Sequence, residues 1–228
     1  MNLLSNQILD FISHLSLDGK MPRGVSILNP YIQPESKRCC EIFYRKFYQK
    51  KNSRILILGI NPGRHGAGLT GIPFTDPVHL HSDCGIENSF IKKTELTSEF
   101  IYRLIKLMGG PAAFYNSFYI SAVCPLGFVK DQKNLNYYDI PELKLLVEQK
   151  LPEWITKQFE FGISNKVCIC VGEGKNFEFL NEMNQKYKWF DKLIALPHPR
   201  FIMQYKRRQL KTYLKIYEDE LSAASSLL

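Results

Sequence analysis

ILILGINPGRHGAGLTGIPF, residues 55–74, decides the fold. Its opening ILILGI (55–60) is continuous in apolar side chains, as a strand buried on both faces must be. The loop that follows is dense in glycine (Gly59, Gly63, Gly66, Gly68, Gly71) and is stiffened by Pro62 and Pro73. Backbone N–H groups in such a loop can approach a small flat or anionic ligand closely.

Three further runs share this strand character: SFYISAV (117–123), KVCICV (166–171) and KLIALP (192–197). Helical patterns lie between them. TELTSEFIYRLIKLMGG (94–110) closes on a glycine pair suited to a helix end. PELKLLVEQKLPEWITKQFEFG (141–162) opens on proline and stops at Gly162, with Pro152 as an expected kink or break. KNFEFLNEMNQKY (175–187) is the third. Two helices are expected before the first strand (3–14 and 35–51) and one after the last (204–222).

Strands alternating with helices predict an α/β chain: a three-layer α/β/α domain around a central four-stranded parallel sheet. At 228 residues, 45% of them hydrophobic, one domain over 1–228 is expected, with the N-terminal helices of 1–53 packed on the core. In such sheets, ligands bind beyond the carboxyl ends of the strands. The four loops expected on that rim contain GINPG (59–63), CPLGF (124–128), GEGKN (172–176) and PHPRF (197–201).

Several function classes drop out early. No run of roughly 18 apolar residues exists, so no membrane partner is expected. The first residues, MNLLSNQILDFISHL, are too polar for a signal peptide and read as an amphipathic helix. Cys39, Cys40, Cys84, Cys124, Cys168 and Cys170 have neither disulfide-framework nor metal-cluster spacing; they are expected reduced, with no metal and no cofactor. The glycines of 59–74 do not have dinucleotide-binding spacing, and GEGKN lacks the first Gly and the final Ser or Thr of a phosphate loop (Ile169 and Asn176 stand there).

The net charge of +8 is unevenly spread. Lys192, Arg200, Lys206, Arg207, Arg208, Lys211 and Lys215 fall in a stretch from 192 to 217 without one acid. RFIMQYKRR (200–208) mixes Phe201, Met203 and Tyr205 with these charges, a pattern suited to phosphates and to the gap left by a displaced base. Lys37 to Arg54 is a second basic stretch, with Glu41 as its one acid, and would serve equally as a solvated helix.

Taken in order, GINPG, TGIPF, CPLGF, VGEGK and HPR resemble the uracil-DNA glycosylase superfamily, most of all its single-strand-selective monofunctional group. The resemblance covers roughly 54–217, and the distance from Asn61 to Phe74 matches that group's. It implies a monomeric enzyme that flips a damaged base out of DNA and hydrolyses the N-glycosidic bond in base excision repair. That places the protein in the bacterial cytoplasm beside the nucleoid, or in a eukaryotic nucleus.

By resemblance, Asn61 holds the water and His198 stabilises charge on the departing base. The implied base contacts are Phe74 by stacking and Ile60 and Gly63 through their backbone. The implied DNA contacts are His65, Gln132, Lys133, Asn134, Arg200, Phe201, Lys206, Arg207 and Arg208. No lysine nucleophile is present where strand cleavage would need one.

One departure stands out. The group has an Asn two residues before the Cys of CPL, and here Ala122 occupies that place beside Ser121. Either Ser121 or the main chain reads the base, or the reading is looser. Two alternatives stay open: a glycosylase for deaminated purines (xanthine, hypoxanthine), and a catalytically silent DNA-binding relative.

Overall fold

The structure, a computed structural model, describes residues 3–228. Seven strands are formed among them: β1 (Val25–Leu28), β2 (Arg54–Gly59), β3 (Phe118–Ala122), β4 (Gly127–Lys130), β5 (Lys133–Leu135), β6 (Ile163–Val171) and β7 (Lys192–Leu196). The helices are α1 (Leu4–Ser13), α2 (Pro34–Phe47), α3 (Ala67–Thr70), α4 (Pro77–Ser82), α5 (Leu96–Leu107), α6 (Gly110–Ser117), α7 (Pro141–Phe159), α8 (Lys175–Tyr187), α9 (Pro199–Tyr205) and α10 (Leu210–Ser225).

The four expected strands form one parallel sheet in the order β3-β2-β6-β7, flanked by helices. All residues of β2 and β3 are buried, which is why both runs lack the polar alternation of a half-exposed strand. Ile57 lies level with Ile120 on one side and Ile169 on the other. The chain leaves β2 toward β3 and later returns to its other side as β6. The strand order therefore reverses at β2, where a crevice opens at the carboxyl ends.

A second, three-stranded antiparallel sheet (β1-β4-β5) was not expected from the sequence. Its strands are only three or four residues long and carry little apolar pattern. Asp131 and Gln132 turn the β4–β5 hairpin with φ of 49° and 58°, a two-residue turn with both residues left-handed. The segment 131–138 is therefore an ordered hairpin arm, which brings Leu135 and Tyr137 back against the loop after β2.

Three helical expectations change. The pattern from 94 to 110 ends in α5 at Leu107, and α6 starts at Gly110 after a left-handed Gly109. Pro152 does not end α7: Leu143, Val147, Leu151, Trp154 and Ile155 are buried along it and hold it across the hydrogen bond that proline cannot make. The helix expected over 204–222 is two helices, α9 and α10, joined by a short tight turn at Arg207–Gln209.

The second basic stretch is not a row of free cations. Arg54 is buried at 2% exposure, where its guanidinium donates to the carbonyls of Tyr115, Lys50 and Asn52. Lys46 donates to Cys84 O, and Arg38 and Arg45 pair with Glu35 and Glu41. All six cysteines are buried free thiols, and burial raises the pKa of each.

Candidate active site

A cavity of about 480 Å³ opens at the carboxyl end of β2 and β3. That is within the range of small-ligand sites, and larger than a single base needs. The loop after β2 supplies Ile60, Asn61, Pro62, Gly63 and Phe74; β3 supplies Ser121 and Ala122; the end of β7 and α9 supply His198, Arg200 and Phe201.

Asn61 is fixed from both ends of its amide. Its Nδ2 donates to Leu135 O (3.0 Å), and its Oδ1 accepts from Tyr137 N–H (3.1 Å). These bonds define which end is oxygen. They leave the second lone pair of Oδ1 for a further donor such as water.

Phe74 adopts a left-handed backbone (φ 53°), a conformation costly for an aromatic residue and held in place by its surroundings. Thr70, just upstream, ties the turn by donating to Thr75 O and accepting from Ile72 N–H. The ring lies against Gly59: a methyl at that position would come within 2.8 Å of Phe74 Cζ. Glycine at the end of β2 therefore makes room for the aromatic ring. The Phe74 and His198 rings meet edge to face at 6.4 Å.

His198 caps α9. Its Nδ1 accepts from Arg200 N–H (3.2 Å), so Nδ1 carries no proton and Nε2 is the N–H donor. Burial, with Arg200 adding to it, lowers the ring's pKa to about 4. The ring is thus neutral through the physiological range and still donates one hydrogen bond.

Ser121 and Ala122 form the pocket wall, level with Leu58 and Gly59 in the sheet. Among the described residues the Ser121 hydroxyl finds no hydrogen-bond partner, and Ala122 offers only a methyl group. The third rim loop does not reach the cavity. Its Asn176 is buried and donates to Val171 O while accepting from Tyr137 OH (2.9 Å). That bond props up the arm that holds Asn61.

The expected DNA contacts separate into groups. Arg200 and Phe201 line the cavity mouth. Lys206, Arg207 and Arg208 are exposed beyond it, but Arg207 pairs with Glu99 at 3.4 Å, so it is not a free cation. Met203 is buried and points away from the surface, whereas Phe201 (44% exposed) and Tyr205 (73% exposed) pack together at 5.7 Å. Gln132 and Lys133 are exposed at the hairpin tip, outside the cavity lining. Asn134 lines the cavity, and its Oδ1 accepts from Arg64 N–H (3.2 Å), which ties the hairpin to the loop. His65 is partly buried beside Arg64, Lys93 and Arg200; burial and these cations lower its pKa. His14, His79 and His81 stand beside carboxylates outside the cavity.

Sequence reasoning missed Glu95, Asn136, Tyr138, Gln204 and Tyr205 as lining residues. Gln204 and Tyr205 stand in the basic string 200–208, and Asn136 and Tyr138 in the segment 131–138 that the resemblance implies as a DNA contact; Glu95 stands at a helix start with no motif of its own.

A profile of the uracil DNA glycosylase superfamily matches residues 45–222. The chain belongs to the uracil DNA glycosylase superfamily. A solved structure, wild-type SMUG2 from Pedobacter heparinus, is similar to it at 43% sequence identity. That match covers 99% of this chain and 100% of that one, with a TM-score of 0.95. The superfamily profile begins inside α2 and ends inside α10, so it spans the whole parallel sheet and every cavity-lining residue but Tyr31. The similarity to SMUG2 extends further, taking in α1 and β1 as well. Among the described residues, no helix is long and apolar enough to cross a membrane, and no group of three potential metal ligands comes together.

Proposed function

We propose that this protein is a monofunctional DNA glycosylase that excises uracil, and at least one deaminated purine, from DNA for base excision repair. The reading includes a single-domain monomer. The observation that carries it is the convergence of Asn61, Phe74 and a neutral His198 on one cavity at the end of β2.

In this reading the damaged base leaves the stack and enters the cavity, where Phe74 restores part of the lost stacking. Asn61 Oδ1 holds the attacking water. As the C–N bond breaks, negative charge grows on a carbonyl oxygen of the base, and His198 Nε2–H donates to it. Neutrality of His198 suits this role, because a neutral N–H can donate to the growing anion while keeping its proton.

Phe201 and Tyr205 are suited to fill the gap in the stack, being exposed aromatic rings at the cavity mouth. Arg208 has no ion-pair partner among the described residues and is suited to a phosphate. Arg208→Glu is therefore expected to weaken oligonucleotide binding whatever the sequence. It should also flatten log affinity against log salt by about one unit. Fluorescence anisotropy across a salt series measures this, and an unchanged slope would place Arg208 away from the DNA.

The base spectrum follows from Ala122. An Asn at this position would leave a polar group unpaired when the wrong base entered, a mismatch of about 1–3 kcal/mol. Ala122 imposes no such penalty, and the free Ser121 hydroxyl can donate or accept. Oligonucleotides carrying one uracil, hypoxanthine, xanthine or 5-methylated base, assayed for abasic sites, test the reading. Release of uracil together with a deaminated purine is expected, and Ala122→Asn should shift release toward uracil. Strict uracil preference in the wild type would assign the reading to Ser121 or the main chain. Tight binding with no product from any base would favour the silent relative.

A further inference from the structure

Hydrolysis of an N-glycosidic bond needs somewhere for the proton of the attacking water to go. Neither Asn61 nor His198 supplies it. Asn61 is uncharged, and both ends of its amide already bond to backbone. His198 uses Nδ1 on Arg200 N–H and presents only a donor.

Among the described residues lining the cavity, Glu95 is the one carboxylate. It stands immediately before α5, in extended backbone, and its N–H donates to Asp76 Oδ2 (2.7 Å). Asp76 is itself fixed by accepting from Val78 N–H and His79 N–H at the start of α4. The main chain at Glu95 is thus anchored while its side chain faces the glycine loop. A methyl at Gly63, two residues after Asn61, would lie 3.6 Å from Glu95 Oε1 and 3.2 Å from Asn134 Nδ2. A methyl at Gly66 would collide with Glu95 Oε2. The loop leaves room for this carboxylate by having no side chains where it sits.

We propose that Glu95 is a further catalytic residue, which takes the proton from the water that attacks the sugar carbon. The proposal rests on the glycosylase reading above. The water oxygen bonds to the anomeric carbon, the C–N bond breaks, and its electron pair leaves on the base. One water proton passes to the Glu95 carboxylate and from there to solvent.

The surroundings suit a base. Among the described residues the Glu95 carboxylate has no hydrogen-bond partner. Burial raises its pKa, the Arg200 cation opposes the rise, and the Asp76 anion adds to it. Arg200 is also one of the cations, with Arg64 and Lys93, that act on His65. A carboxyl raised above its usual range is a stronger proton acceptor when ionised. Activity should therefore rise with pH through a carboxyl above the ordinary glutamate value.

The test is single-turnover release of uracil from a single-stranded oligonucleotide between pH 4.5 and 9. Glu95→Gln should be about 10²-fold slower at neutral pH, and its acid limb should flatten over this range. Oligonucleotide affinity and melting temperature should hold. Glu95→Asp should keep part of the rate and the limb, and added formate should restore part of the rate of Glu95→Ala. A Glu95→Gln enzyme as fast as wild type with the same acid limb would overturn the role and leave the glycosylase reading standing. So would a rate lost only through weaker binding. No base release by the wild type from any oligonucleotide in the panel would overturn both.

Discussion

Asn61→Ala is expected to lower single-turnover release of uracil by about 10²-fold or more, with a much smaller loss of oligonucleotide binding. An amide cannot act as a strong base, so the contribution proposed for it is the placement of water, and a small displacement of that water would be costly. The structure adds a second consequence. Asn61 joins the loop after β2 to the hairpin arm through Leu135 O and Tyr137 N–H. Removing the side chain leaves both groups without that partner, at a stability cost of about 1–3 kcal/mol if water does not replace it. Rate and melting temperature should therefore both fall. Asn176→Ala separates the two effects, because it disturbs the arm through Tyr137 OH without touching the water. Full activity in Asn61→Ala would remove Asn61 from the mechanism.

His198→Ala is the second large effect, about 10²-fold or more in the chemical step, the loss expected when a preorganised donor to a developing anion is removed. The pH dependence carries a sharper expectation. With its pKa lowered to about 4, His198 stays neutral as pH falls through 6.5, the ordinary histidine value. No step in excision rate should be seen there. Stability behaves differently, because the unfolded chain does bind a proton near 6.5. The folded state then binds fewer protons than the unfolded one, so His198 costs stability progressively as pH falls from about 6.5 toward 4. His198→Gln, which retains a donor, should lose less rate than His198→Ala and should remove this contribution to acid sensitivity. An excision rate that falls with an apparent pKa near 6.5 in the wild type, and not in His198→Gln, would show that the ring is charged when it works.

The candidate site was partly legible because several of its parts sit next to strands. Asn61 and His198 each follow an apolar run that can be read directly, and Phe74 closes the same loop that begins at Asn61. Glu95 was read as the first turn of a helix, which it precedes by one residue. Nothing local marks a carboxylate that faces a glycine loop folded from residues 63–66. Met203 and Arg207 were read as surface groups from a mixed basic string, but α9 turns Met203 inward and brings Arg207 to Glu99. Charge composition counts cations and does not record which of them are already paired.

What the sequence by itself determined is the parallel sheet and its rim, because short apolar runs bounded by glycine and proline and alternating with helical patterns suit the strands of a sheet covered by helices, β2 and β3 being buried throughout and β7 half-buried. Only the tertiary structure decided how the rim is completed. The β4–β5 hairpin has little burial pattern of its own and is defined by its pairing with β1 and by hydrogen bonds to Asn61 and Asn176. The tautomer of His198 depends on the N–H of Arg200, and the place of Glu95 depends on Asp76 and on the absence of side chains at Gly63 and Gly66. Strand formation follows from short-range patterning. The protonation and direction of the working groups follow from partners brought in from distant parts of the chain.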